Sequence, residues 1–245
     1  MAERAAGARL RIREIRTADD PAFRRAYRLL HRVFPRAELM PLSAWMHVMD
    51  ERNAGVWTDL NWHLFVAEYG GATVGAATGA YLGNVNVGLI GYVAVTAAAR
   101  SHGIGPRVRW ALRLAFQRDA RRLVGRPLEA IMGEVRPDNP WLRRLVRAGA
   151  IALDLSYYQP SLRRRGKDVS LVLYYQPLRG PQGSIAAATV RRLLYTIWRR
   201  AYRVPTPLSR PAFRRMLRAL EGRERIGRRP LDPHPGASAG EKEDR

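Results

Sequence analysis

The sequence predicts a mixed α/β domain followed by a basic helical extension. Three features carry that prediction. Apolar residues recur at helical spacing in two segments before residue 50, short alternating segments separated by glycine turns follow, and helical spacing returns after residue 184. A chain of 245 residues suits one domain with an extension, and 47% apolar residues supply the material for a sizeable core.

The elements read in order along the chain. Leu10 and Ile12 alternate with arginines as a short strand. "DDPAF" supplies a helix N-cap and a first-turn proline, and Phe23, Tyr27, Leu30 and Phe34 follow on one face. Residues 41–49 form a second helix with Leu42, Trp45, Met46 and Met49 together. "WHLFVAEY", "ATVGAATGAYL" and "VGLIGYVAV" are three strands joined by "GG" and "GN" turns. A helix over 106–122 then turns Val108, Ala111, Leu112, Ala115 and Phe116 inward. "PLEAIMGEV" is a strand, and "DNPWLRRLVRAGA" is a short helix stopped at Gly149. "IALDLSYYQP" and "VSLVLYYQP" are two strands around the basic loop "SLRRRGKD". The domain therefore covers residues 1–180.

Residues 181–222 read as the extension. In a helix over 184–204, Val190, Leu194, Ile197 and Ala201 form one face. Arg192, Arg199 and Arg203 lie opposite, and Tyr195, Trp198 and Tyr202 form a shoulder. A second short helix covers 211–221. Over 223–245, proline, glycine and mixed charge predict a disordered tail.

Composition removes several functions. The absence of cysteine excludes a disulfide framework, a thiolate metal site and a cysteine nucleophile. Five histidines without tight pairing speak against zinc, so no metal is expected. The longest apolar stretch, residues 85–99, contains Asn86 and is too short to span a bilayer. The N-terminal segment lacks the apolar run of a signal peptide, so a cytoplasmic protein is expected. Net charge is +22, and every basic residue except Lys167 and Lys242 is arginine. Such charge suits an anionic partner, whereas a GC-rich genome, which favours Arg, Ala, Gly and Pro together, accounts for most of it without one.

The stretch "RSHGIGPRV", residues 100–108, joins the third strand to a helix. The first-turn N–H groups of a helix have no partner within it, and the helix dipole adds positive charge there. Glycines at 103 and 105 let backbone wrap closely around a phosphate, and Pro106 fits the first helical position. A nucleotide P-loop needs Gly-Lys-Ser/Thr, but Pro-Arg follows Gly105. A dinucleotide fingerprint needs a third glycine where Val108 stands, and an acidic residue at a strand end where Glu129 opens a strand instead. The alternative to a phosphate site is a tight turn of purely structural use.

Arg100, Gly103 and Gly105 resemble motif A of the GCN5-related N-acetyltransferases (GNAT), Arg/Gln-x-x-Gly-x-Gly/Ala, in the family's setting after the strand "YVAV". The resemblance spans residues 10–177 in element order. It implies a mixed, mostly antiparallel central sheet flanked by helices, and acetyl-coenzyme A as co-substrate. The pyrophosphate would lie against the backbone of Ser101, His102, Gly103, Ile104 and Gly105, with Arg100 in the motif and Arg107 nearby. Backbone groups of Val93 and Val95 would bond the pantetheine arm, and one N–H would polarise the thioester carbonyl.

"EVRPDN" resembles the corresponding segment of acetyltransferases that modify protein N-termini. Carried over, Glu134 is the general base and Asn139 holds the pantetheine. The other readings are a Glu134 ion pair with Arg136 or Arg147, and Asn139 as a plain N-cap. Seven residues after Asn139, where the family often carries an acid tyrosine, stands Val146. Tyr157 or Tyr158 is then the nearest replacement, or no acid is required. The reaction expected of a bacterial member is acyl transfer to a primary amine. The alternative is a non-catalytic acyl-CoA-binding module whose basic C-terminal helix associates with membrane, nucleic acid or a partner. Docking of that helix on its own domain or a twin subunit is preferred over membrane contact.

Overall fold

The computed structural model describes residues 9–163 and 166–231. A short strand, β1 (Arg11–Ile15), leads into helix α1 (Pro21–Val33), whose N-cap Asp20 accepts from the Ala22 N–H at 2.9 Å. Helix α2 (Leu42–Asn53) follows. Strands β2 (Leu60–Tyr69), β3 (Ala72–Leu82) and β4 (Val87–Val95) then form an antiparallel meander. Next come helix α3 (Ile104–Asp119), strand β5 (Ala130–Val135) and helix α4 (Pro140–Arg147). Strands β6 (Ile151–Ala152), β7 (Tyr157–Gln159) and β8 (Val169–Pro177) complete the sheet. Its order is β1-β2-β3-β4-β5-β8-β6, with β7 also pairing β8. Only the β4–β5 contact is parallel among these pairings, so the sheet is mixed and mostly antiparallel, as the sequence predicts.

The alternation of side chains along the strands gives the sheet two apolar faces. On one, Phe23, Leu30, Trp45 and Met49 of α1 and α2 cover Leu64, Val66, Ala76 and Ala94. On the other, Val108, Leu112 and Phe116 of α3 pack on Ala77, Tyr81 and Ile131. Phe116 comes so close that a Cβ at Gly79 would stand 2.7 Å from its ring, and a Cβ at Gly88 would overlap it. These two glycines form the seat that sets the height of α3 above the sheet.

The extension shares the core of the domain, in keeping with the preferred docking of its helix on its own domain rather than on a membrane. Helices α5 (Ala187–Thr196) and α6 (Pro211–Arg218), with Trp198 from the turn after α5, bury Val190, Leu193, Phe213 and Met216 against Leu82, Leu171 and Tyr175 of the sheet and the adjoining Leu153. Trp198, read from the sequence as a shoulder, is wholly buried. The expected disordered tail also begins too early. Strand β9 (Ile185–Ala186) pairs with β10 (Arg225–Ile226), Ile226 is buried, and Arg229 N–H bonds to Ala152 O at 2.8 Å. A few apolar and backbone partners order this segment despite its polar composition; residues 232–245 of the expected tail lie outside the described residues. Helix α3 likewise opens at Ile104, two residues before Pro106, because Gly103 at φ 69° serves as its N-cap.

A buried polar chain ties β1, β2 and α3 together. His63 Nδ1 lies 2.6 Å from Glu14 Oε1 and its Nε2 lies 2.7 Å from Asp119 Oδ2. Burial pushes the Glu14 carboxyl up, but the His63 hydrogen bond and charge, with Arg52, outweigh it and bring the value down to about 2.

Two outcomes are expected. Gly88→Ala drives a methyl into Phe116 and lowers stability by about 1–3 kcal/mol, the range for overpacking a close-packed core; an unchanged urea midpoint would refute the seat. Glu14 holds its proton less tightly when folded than when unfolded, so its contribution is present above the ordinary carboxyl value of 4.5 and is lost as pH falls towards about 2. Glu14→Gln should therefore lower the melting temperature at pH 7 and have progressively less effect between pH 4.5 and 2, measured by thermal melts across that window.

Candidate active site

Strands β4 and β5 pair from Val87–Ala130 to Ile90–Gly133, and their ladder stops there. The cause lies in β4. Thr78 faces Tyr92 while Gly79 faces Ile90, so Gly91 is an extra residue, and a bulge of this kind bends its strand. Beyond it, β4 continues along β3 alone. Thr96 N–H bonds to Val74 O at 2.9 Å, and the register then assigns Ala94 and Tyr92 to the β3 ladder. Antiparallel bonding alternates, so the N–H and C=O groups of Val93 and Val95 face the gap instead. The gap is walled on its far side by Glu134 and Val135 of β5.

The glycine loop sits at the open end of this gap. After a single turn at Ala97–Ala99, Ser101 and Gly103 both adopt positive φ, 66° and 69°, which swings the chain into the start of α3. Arg107 N–H is the first to reach back, to Gly103 O at 3.4 Å, leaving the Ile104 and Gly105 N–H groups directed at the loop. A Cβ at Gly105 would meet only Val95 Cγ2, at 3.7 Å, so open space adjoins this backbone. His102 Nδ1 lies 2.8 Å from Arg100 O, and Arg100, His102 and Arg107 are exposed. Arg109 is committed elsewhere, donating to Gln176 Oε1 at 2.8 Å, and Arg113 lies over the Trp110 ring at 5.0 Å.

Glu134 stands beside the gap with neither expected arginine as partner. Tyr157 donates to its Oε1 and Tyr202 to its Oε2. Burial pushes the Glu134 carboxyl up to about 7; the two hydroxyls pull it down, and the nearby Glu38 charge adds to the rise. Both tyrosines are pushed well above their ordinary value, first by burial and then by the Glu134 charge, and remain donors. Arg136 pairs instead with Glu38, its Nε 2.9 Å from Oε1. Strand alternation turns Tyr158 away: its hydroxyl accepts from Arg215 at 3.4 Å and its ring lies 5.6 Å from that guanidinium, so it does not share the site of Glu134. Asn139 caps α4, accepting from Trp141 N–H at 2.9 Å, and also borders the gap. Val146 packs with Leu142 and Tyr174.

A cavity of about 450 Å³ runs from Gly105, Asn139 and Trp141 through the gap to Phe34, Trp45, Trp62 and Tyr202. Four of its polar side chains had no signal in the sequence. Tyr202 arrives from the extension, 68 residues from Glu134. Tyr92 donates to Glu38 O at 2.8 Å and accepts from Met40 N–H at 3.1 Å, holding the α1–α2 connection over the cavity. Glu38 lies in that connection. The Tyr174 hydroxyl lies over Gly133, 2.6 Å from where a Cβ would be, at the apex where β4 and β5 part. None belongs to a local motif; each is brought in by strand pairing or helix docking. Among the described residues no cluster of three or more His, Asp or Glu side chains could hold a metal, and no helix is long and apolar enough to cross a membrane.

The fold has counterparts among known proteins. A comparison with curated protein sequences finds no match. Among solved structures, a chain from Bacteroides thetaiotaomicron described as a GNAT-family acetyltransferase superimposes with a TM-score of 0.54 at 19% identity, covering 76% of this chain and 97% of that one. The ribosomal-protein-S18-alanine N-acetyltransferase of Escherichia coli gives 0.48 at 16% identity, covering 71% and 97%. An acetyltransferase from Salmonella typhimurium, solved with its cofactor acetyl-CoA, gives 0.47 at 18% identity, covering 71% and 96%. The family model for the acetyltransferase (GNAT) family matches residues 23–149, from the first helix through the glycine loop to the end of α4. That match spans more than half of the chain, and the chain belongs to the GNAT family of acetyltransferases.

Proposed function

We propose that the protein transfers an acetyl group from acetyl-coenzyme A to a primary amine by direct attack, with Glu134 as the general base. The observation that carries this reading is the carboxylate itself. It borders a gap in the sheet, its hydrogen-bond partners are two hydroxyls rather than a cation, and its proton affinity lies near neutrality. A base works best when its pKa is close to the working pH.

The residues around the gap fit the coenzyme. The Ile104 and Gly105 N–H groups and the helix dipole suit a pyrophosphate, and Arg100 and Arg107 are exposed beside them. The edge groups of Val93 and Val95 suit an extended amide chain lying as an added strand, and Asn139 borders the same channel. The thioester supplies an acyl carbon open to attack. An ammonium entering from the Phe34 and Trp45 end loses one proton to Glu134. The nitrogen lone pair then forms the C–N bond, a strand N–H stabilises the charge on the carbonyl oxygen, and the C–S bond breaks. The second nitrogen proton passes to sulfur, giving the free thiol, and Glu134 returns its proton to solvent. The hydroxyl at the apex available to assist that transfer is that of Tyr174.

Two measurements test this. Glu134→Gln should lower kcat by about 10²–10⁴-fold, the usual worth of a general base, while acetyl-CoA affinity by calorimetry stays unchanged. In the native protein kcat/KM should rise through pH about 7, because protonated Glu134 accepts nothing. Tyr202→Phe removes a donor that stabilises the carboxylate, so that limb should move to higher pH; a limb that stays put, or wild-type rates in Glu134→Gln, would remove Glu134 from the reaction. Separately, Gly105→Val should weaken acetyl-CoA and free coenzyme A binding by at least about tenfold, or ~1.4 kcal/mol, by filling the space beside the loop. Undiminished binding heat would discard the loop as the phosphate site.

A further inference from the structure

The acceptor end of the cavity is cupped from both sides, and one side is made by the C-terminal extension. After α5, the turn Ile197–Ala201 and the two residues that follow it bring Arg200, Ala201, Tyr202 and Arg203 into the cavity wall. This wall is tied across the opening to the α2 side. Arg200 Nη1 lies 2.8 Å from Asp59 Oδ2, with its guanidinium 5.5 Å from the Trp57 ring, and Arg203 Nη1 lies 2.9 Å from Glu51 Oε1. Arg203 sits at φ 57°, an uncommon conformation held by these ties. The opposite rim, residues 35–40, is also pinned. Tyr92 holds Glu38 O and Met40 N–H, and Arg163 donates to Arg36 O at 3.2 Å. A polypeptide acceptor needs an open groove through which its following residues can leave. Here both rims are bonded in place.

The lining has a definite chemistry. Phe34, Trp45, Trp62 and Tyr92 form one aromatic cluster: Trp45 stacks on Tyr92 at 6.1 Å and meets Trp62 edge-on at 5.6 Å. Phe34 meets Tyr92 at 5.2 Å. The charges around them are compensated within the wall, as Glu38 with Arg136, Asp59 with Arg200 and Glu51 with Arg203. Glu134 is the cavity carboxylate held only by hydroxyls among these. The site therefore offers one negative group for one ammonium, and an apolar, π-rich surface for what the ammonium is attached to.

We propose that the acceptor is a compact primary monoamine with an apolar, aromatic body, and that residues 197–204 exclude a polypeptide N-terminus. The inference rests on the amine-transfer reading above and narrows it. A polyamine would bring its second ammonium against an aromatic wall with no uncompensated carboxylate to meet it. An amino acid would bring its carboxylate beside Glu134.

The test uses the full chain with acetyl-CoA, following thiol release and confirming each product by mass spectrometry. The probes are phenethylamine, tryptamine, phenylalanine, spermidine and an alanine-starting hexapeptide. Phenethylamine and tryptamine should exceed each of the other three at least tenfold in kcat/KM. Preference for the hexapeptide, spermidine or phenylalanine overturns the acceptor class and leaves amine transfer standing. Turnover of no amine by a protein that still binds acetyl-CoA overturns both. The double substitution Glu51→Gln with Asp59→Asn releases the wall without altering a cavity residue. It should raise hydrogen exchange in residues 197–204 and bring the hexapeptide within threefold of phenethylamine. Loosened exchange with undiminished discrimination would show that the extension does not exclude peptides.

Discussion

The parting of β4 from β5 after Ile90 is the constraint on which the rest of the structure depends. A strand inside a sheet normally spends its N–H and C=O groups on both neighbours. The extra residue at Gly91 bends β4, so it keeps β3 and loses β5. The edge groups of Val93 and Val95 are thereby released in the middle of the molecule rather than at its rim. A backbone edge of this sort accepts a ligand that can complete the ladder. The same parting brings the glycine loop to one end of the gap and Glu134 to the other. On the proposed reading, coenzyme and acceptor approach from opposite directions and meet where the strands part.

Glu134 shows how environment sets chemistry. The same carboxyl in an ion pair would lie well below neutrality, as Glu14 does beside His63 and Arg52. Burial raises both carboxyls, and their neighbours differ. Glu14 gains cationic neighbours that outweigh burial; Glu134 gains only neutral hydroxyls, and burial wins. Arg136, two residues further along the chain, pairs with Glu38 instead of Glu134.

The parts legible in the sequence were those written in local constraints. Glycine spacing at 103 and 105 follows from backbone geometry, and the capping residues Asp20 and Asn139 follow from helix termini. Strand and helix periods placed the central sheet, the two opening helices and α3. What local pattern could not show is where distant segments dock. Tyr202 looked like a helix shoulder because its partner lies on β5, and Trp198 did so because the surface that buries it comes from elsewhere in the chain. The strand Arg225–Ile226 is two residues long, too short for any periodicity, and owes its order to a neighbour equally short. Tyr157 and Tyr158 read alike in the sequence; only the register of β7 turns one towards Glu134 and the other towards Arg215.

Each ion pair uses one acid and one base, so the net charge of +22 stands whatever the pairing. Several of the arginines are structural. Arg13 is held between Asp20 and Glu68, Arg52 binds Glu14, Arg200 and Arg203 clamp the extension across the cavity mouth, and Arg223 holds Asp154. Planar guanidinium groups suit such work because each can grip a carboxylate in two places while its stem packs on apolar surface. An isolated pair of this kind at the surface contributes little stability, on the order of 0–1 kcal/mol. At the cavity mouth its value is geometric. Two pairs on one short segment, one of them backed by an aromatic ring, fix where Tyr202 stands, and through Tyr202 they help fix the carboxylate proposed as the base.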